Sequence, residues 1–127
     1  MAEGNIEKVD IVQTWDITAP SDRYTISNIS NNKLCKTGNI VYCTAEFIVS
    51  TSTTNNAYID GWFSFPKFGR TVSNLYGTWM DETKSESGIL VSSNNTNIWF
   101  RNSSGNNMNL SDRIGDKFYV VVTYAIY

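Results

Sequence analysis

The sequence predicts an all-β protein, an antiparallel β-sandwich of about eight short strands, either jelly-roll-like or a Greek-key barrel. Three observations predict it. The 127 residues include 15 Asn, 14 Ser and 13 Thr, with aromatics at 13% and charged residues at only 17%. Short polar side chains compete with the helical backbone and favour turns, while aromatic and β-branched residues fit a pleated sheet. Apolar residues recur at period two in many short runs, and turn signals separate those runs roughly every ten residues. Helical periodicity is weak everywhere. The two polar stretches Met80 to Glu86 and Asn109 to Gly115 read as loops or single turns.

Each element has its own signal. Asp10 to Thr18 carries Ile11, Val12, Trp15 and Ile17 and stops at Ala19-Pro20. Tyr24 to Ile29 alternates, and Lys33 to Lys36 forms the next short strand before a Thr37-Gly38-Asn39 turn. Ile40 to Ser50 places Val41, Cys43, Ala45, Phe47 and Val49 on one face. Its other face is also partly apolar, so cover on both sides is expected for part of its length. A polar tip follows at Ser50 to Asn56. Ala57 to Phe65 then sets Ile59, Phe63 and Phe65 against Tyr58, Asp60, Trp62 and Ser64, and Pro66 ends it. Val72 to Met80 sets Val72, Tyr76 and Met80 against Leu75 and Trp79. Gly88 to Ser92 and Thr96 to Asn102 flank an Asn94-Asn95 turn. Lys117 to Tyr127 is the final strand, with Phe118, Val120, Val122, Tyr124 and Ile126 on one face.

Composition also excludes functions. Net charge is −2 and no Lys/Arg run occurs, so no nucleic-acid partner is expected. There is no histidine, which removes the commonest general base and any imidazole metal site. The acids show no spacing that singles out a catalytic pair; Asp81-Glu82 and Asp112/Asp116 offer oxygen ligands for calcium, but no loop has the spacing of a helix-loop-helix calcium site, so the expectation is a non-enzyme without metal or cofactor. The longest apolar run is Phe118 to Val122, far from the roughly 20 residues of a membrane helix, so no membrane insertion is expected. The first ten residues lack the apolar core of a secretory signal.

Cys35 and Cys43 lie on either side of the Gly38-Asn39 turn. A two-residue loop puts them on opposite faces of the hairpin. A three-residue loop puts them within disulfide reach. With no export signal, reduced thiols are expected.

The order of features resembles the C-terminal receptor-binding head domain of bacteriophage tail-fibre and baseplate proteins. The residues that carry the resemblance are Lys36-Thr37-Gly38-Asn39-Ile40-Val41 opening a long strand, then the Phe-Pro segment Phe63-Ser64-Phe65-Pro66-Lys67-Phe68. The short strand Gly88-Ile89-Leu90-Val91 and a last strand entered through Gly115-Asp116-Lys117-Phe118 complete it. Gly69-Arg70 stands where a second proline is usual in that group. The resemblance covers Lys33 to Tyr127. It implies a homotrimer at a virion tail tip, assembled in the host cytoplasm with other tail or baseplate proteins, which attaches to host cell-surface saccharide. It also implies residues 1–30 as N-terminal strands or a neck stub, and residues 31–127 as the head. The other readings are a carbohydrate-binding or adhesive module of a secreted bacterial protein, and a virion structural domain that binds no sugar.

Tryptophan faces stack on sugars, while nearby Asn, Asp and Arg bond hydroxyls. Strand alternation puts Trp99 on one face with Asn97 and Arg101, and Trp79 precedes Asp81. The expected ligand site is therefore Trp99, Arg101 and Asn97, joined by a loop bearing Trp79 and Asp81. For each tryptophan the competing role is core or subunit-interface packing.

Overall fold

A computed structural model describes residues 11–19, 23–50, 61–93 and 97–127. The strands are β1 (Ile11–Thr14), β2 (Ile26–Thr37), β3 (Ile40–Val49), β4 (Trp62–Ser64), β5 (Val72–Asp81), β6 (Glu86–Ser93), β7 (Asn97–Asn102) and β8 (Lys117–Ile126). All pairs are antiparallel and belong to one sheet of order β1-β2-β3-β8-β5-β6-β7-β4. In β4 to β7, three hairpin-linked strands are joined by a fourth that lies beside the far end of the meander, which is the Greek-key arrangement. The sheet curls until its ends meet. Ser64 N, in the last strand of the order, donates to Thr18 O just beyond the first, at 2.9 Å. Tyr24 Oη donates to Trp62 O at 2.5 Å across the same seam. The expected all-β antiparallel architecture is thus present as one sheet rolled around its core.

Alternation explains the core. Val41, Cys43, Ala45, Phe47 and Val49 of β3 all point inward, as do Phe118, Val120, Val122, Tyr124 and Ile126 of β8. The aromatic centre is Phe47, Phe63, Phe100, Phe118 and Trp79. Phe47 stacks on Phe118 at 6.1 Å between centroids, and Phe100 meets Phe118 edge-on at 5.3 Å. Each such ring contributes roughly 1.5–3 kcal/mol on burial. The Tyr124 hydroxyl donates to Pro66 O, which pins the Phe-Pro segment under β8.

Two strands differ from the sequence pattern, and left-handed asparagines are the reason. The strands expected at Tyr24–Ile29 and Lys33–Lys36 are one twelve-residue strand, β2. Asn28 and Asn31 sit at φ 54° and 50°, and the register against β3 shifts on either side of Ser30. Asparagine tolerates this region, so the strand bulges instead of ending. β2 runs continuously through position 30/31, and Trp15, Ile17 and Tyr24 are core residues. In β5, Asn74 at φ 54° forms a bulge between Ser73 and Tyr76. Beyond it the faces exchange. Tyr76 (76% exposed) and Met80 point outward, whereas Trp79 (2%) and Asp81 (0%) point inward. Simple alternation from Val72 put Tyr76 and Met80 on the Val72 side; the inserted residue overturns that assignment.

The Gly38-Asn39 turn has the two-residue form, with Thr37 paired to Ile40 and Gly38 at φ 59°. Leu34 faces Cys43 in the core and Cys35 faces Tyr42 outside, so the thiols lie on opposite faces and both are free. The outer face of β3 is covered only in part: Ile40 and Tyr42 are exposed, while Thr44, Glu46 and Ile48 are half-buried. The features expected at Pro20, at the 51–56 tip, at Tyr58, Ile59 and Asp60, and at the Asn94-Asn95 turn lie outside the described residues.

Candidate functional site

The outer wall of β4, β7 and β6 is built by alternation. Because Ile98 and Phe100 of β7 enter the core, Asn97, Trp99 and Arg101 face outward together, as the sequence predicts. Trp99 is paired directly with Trp62 across the β4–β7 ladder, with ring centroids 6.2 Å apart and planes inclined at 43°. Ile89 and Val91 of β6 occupy the adjoining positions beside Arg101 and Trp99. Arg101 Nη1 donates to Gly105 O at 3.3 Å. Trp99 Nε1 and Arg101 Nε are buried without a hydrogen-bond partner among the described residues. The wall thus presents a half-buried indole pair, with Asn97 and Arg101 beside Trp99 on the same face.

Trp79 and Asp81 do not join this wall. They lie within β5 rather than in a loop, on the opposite, inward face of the sheet, because of the Asn74 bulge. Trp79 packs on Phe118 and Phe100 and donates Nε1–H to Arg101 O at 2.7 Å. Gly88 makes this possible. A Cβ there would lie 2.5 Å from Trp79 Nε1 and 2.4 Å from Arg101 O.

Asp81 organises the mouth of the barrel. Its Oδ1 accepts from the amides of Thr83 and Lys84, both at 3.0 Å, which closes the β5–β6 turn. Its Oδ2 accepts from Arg113 Nη1 at 2.9 Å. Arg113 Nη2 pairs with Glu86, and its guanidinium lies 5.8 Å from the Trp79 ring. Lys84 Nζ reaches Asp116 Oδ2 at 2.6 Å. Asp81 and Asp116 stand near enough to influence each other's titration. Burial pushes Asp81 up, but the influence of Asp116 and the bonds from the Lys84 amide and Arg113 outweigh it and hold its pKa below the ordinary value. Burial and then the Asp81 contact push Asp116 above its ordinary value, against Lys84.

Beside this network lies a concavity of about 310 Å³, lined by Trp79, Glu86, Ser87, Asn102, Ser103 and Arg113. No group of three or more His, Cys, Asp or Glu residues that could hold a metal occurs among the described residues. Of the expected site residues, Trp99, Arg101 and Asn97 are brought together, while Trp79 and Asp81 belong to the mouth. The expectation did not include Trp62, Arg113, Glu86 or Asp116. One signal for Asp81 was present in the sequence. An Asp opening the polar run Glu82-Thr83-Lys84-Ser85 fits an aspartate-capped turn better than an exposed ligand. Arg113 lies far from Asp81 along the chain and carries no local signal.

Compared with protein-family models, with curated proteins and with solved structures, the chain has no match.

Proposed function

We propose that the chain is a receptor-binding head of a bacteriophage tail fibre or baseplate, which attaches the virion to host cell-surface saccharide and does so without turnover. The observation that carries this reading is the outward Trp62–Trp99 pair, with Asn97 and Arg101 beside Trp99 on the same face. Indole faces cover the apolar side of a sugar ring, and amide and guanidinium donors orient its hydroxyls. The paired carboxylates at the mouth favour binding over hydrolysis. Asp81 is fully buried and its oxygens accept from two turn amides and Arg113, while Asp116 is held by Lys84, so both carboxyls are committed to structure.

Association as a homotrimer at the tail tip fits the outer face of β3 and β5. Ile40, Tyr42, Tyr76 and Met80 are exposed there, and covering them removes apolar area from water at roughly 25 cal/mol per Å². Three tethered heads then convert weak single-site binding into firm attachment. The experiment is adsorption of labelled protein to a panel of bacterial cells and purified wall polysaccharides, with light scattering in parallel. Trp99→Ala is expected to abolish adsorption with the oligomer intact. Wild-type protein that adsorbs to nothing, or polysaccharide that is cleaved, overturns the reading.

A further inference from the structure

We propose that the mouth of the barrel is a second ligand pocket, selective for a neutral polyhydroxy ligand (one sugar residue or a polyol) over an anionic one. The concavity of about 310 Å³ stands at the small end of the range for small-molecule sites, the size of a single ring. Its chemistry is that of hydroxyl recognition. Ser87 and Ser103 each bring a group that donates and accepts. Asn102 uses Oδ1 to accept from the amides of Ser104 and Asn106, at 2.9 and 3.0 Å, so its acceptor is committed and its amide NH2 is the group left for a ligand. Glu86 presents a half-exposed carboxylate acceptor.

Selectivity follows from how Arg113 is used. Both terminal nitrogens are engaged, Nη1 by Asp81 and Nη2 by Glu86, and Asp112 Oδ1 stands 3.8 Å from Nε. The charge of Arg113 is therefore already balanced by carboxylates at both terminal nitrogens, and its Nε is buried without a hydrogen-bond partner, which weakens its pull on an entering carboxylate or phosphate. An entering anion meets Glu86 at the rim, with Asp81 and Asp116 behind it, and the second cation, Lys84, is held by Asp116. A hydroxyl carries no such repulsion. Trp79 forms the floor, with its N–H already bonded to Arg101 O, so it contributes ring surface alone.

The pocket deepens the adhesin reading by adding a saccharide contact. It rests on that reading only for its biological use, since the binding itself does not involve Trp99. The test is a two-dimensional amide NMR titration of the whole chain. The neutral probes are methyl glucopyranoside, methyl galactopyranoside and glycerol; the anionic probes are glucuronate and inorganic phosphate. At least one neutral probe is expected to shift the Asn102 and Ser103 amides and the Arg113 Nε–H saturably in the millimolar range, with no saturable shift from either anion. Ser103→Tyr, which fills the mouth from an exposed turn, should abolish the shifts. Glu86→Gln should narrow the gap between neutral and anionic probes. Trp99→Ala should leave the shifts unchanged, so loss of cell adsorption in that variant separates the two sites. The pocket is overturned if no neutral probe saturates, if glucuronate or phosphate binds as well as the neutral sugars, or if Ser103→Tyr still binds. Saturation by a neutral sugar with no adsorption to any cell removes the adhesin reading and leaves the pocket standing.

Discussion

Asp81, with no solvent exposure, is bonded to Arg113 at 2.9 Å across 32 residues of sequence, and this contact ties the β5–β6 turn to the segment that enters β8. Removing one partner of such a pair leaves an uncompensated buried charge. Arg113→Met is therefore expected to cost about 3–5 kcal/mol. Asp81→Asn keeps an acceptor for the Thr83 and Lys84 amides and should cost less. Urea unfolding of the two variants checks the order, and equal costs would contradict it.

Acid should act in two stages. Asp116 has its folded pKa raised above 3.8, so it takes up a proton more readily folded than unfolded. Stability from this group therefore increases as the pH falls through the raised value towards 3.8. Asp81 and Glu46 have the opposite sign, because hydrogen bonds hold both below their ordinary values. Their contribution is complete above the ordinary carboxylate range and is lost as the pH falls through the depressed values. Urea midpoints across pH 7 to 2 should thus hold or rise into mild acid and then drop. Asp116→Asn should remove the mild-acid rise.

The tryptophans should separate by stability. Trp79→Ala removes a core ring and is expected to cost about 3–5 kcal/mol. Trp99→Ala removes an outer-wall ring whose pairing with Trp62 is worth about 0.5–1.5 kcal/mol. Thermal melts of the two variants test this, and a larger loss from Trp99→Ala would place that ring in the core.

Gly88→Ala should behave as a core substitution although only one methyl is added. The new Cβ would overlap both Trp79 Nε1 and Arg101 O. Overpacking of this kind costs roughly 1–3 kcal/mol. Trp79 fluorescence should change along with the melting temperature.

The two thiols should react differently. Cys35 is on the outer face, while Cys43 is fully buried and burial pushes its pKa up to about 12. Alkylation of the folded protein should label Cys35 alone, and unfolding without reductant should expose the second. Labelling of neither after unfolding would reveal a disulfide.

Much of this molecule can be read along the chain. β3, β7 and β8 follow period-two alternation without interruption, and so the residues that share each face are grouped as the sequence indicates, including Asn97, Trp99 and Arg101. The two-residue turn at Gly38-Asn39 is likewise local chemistry. Errors begin where one residue is inserted. Asn74 carries no mark that distinguishes a bulge from an ordinary strand position, yet it reverses the side on which Trp79 and Asp81 lie. The mouth was illegible for another reason. Asp81, Glu86, Arg113 and Asp116 meet only because β5 and β8 are neighbours, and nothing in either segment specifies the other as its partner.

The position of β8 has a kinetic consequence. It pairs with β3 on one side and β5 on the other, so among the described residues it is the strand that joins the β1–β3 meander to the β5–β7 meander along the sheet. Until residues 117–126 have been synthesised, each meander presents a bare edge, and those edges are the ones most able to recruit the wrong strand. The closing step also brings together positions about 70 to 85 residues apart, such as Val41 with Tyr124, a high contact order that slows folding. Productive assembly therefore waits on the arrival of this one segment, and a nascent chain lacking it should be the species that chaperones hold and that aggregates when they are absent.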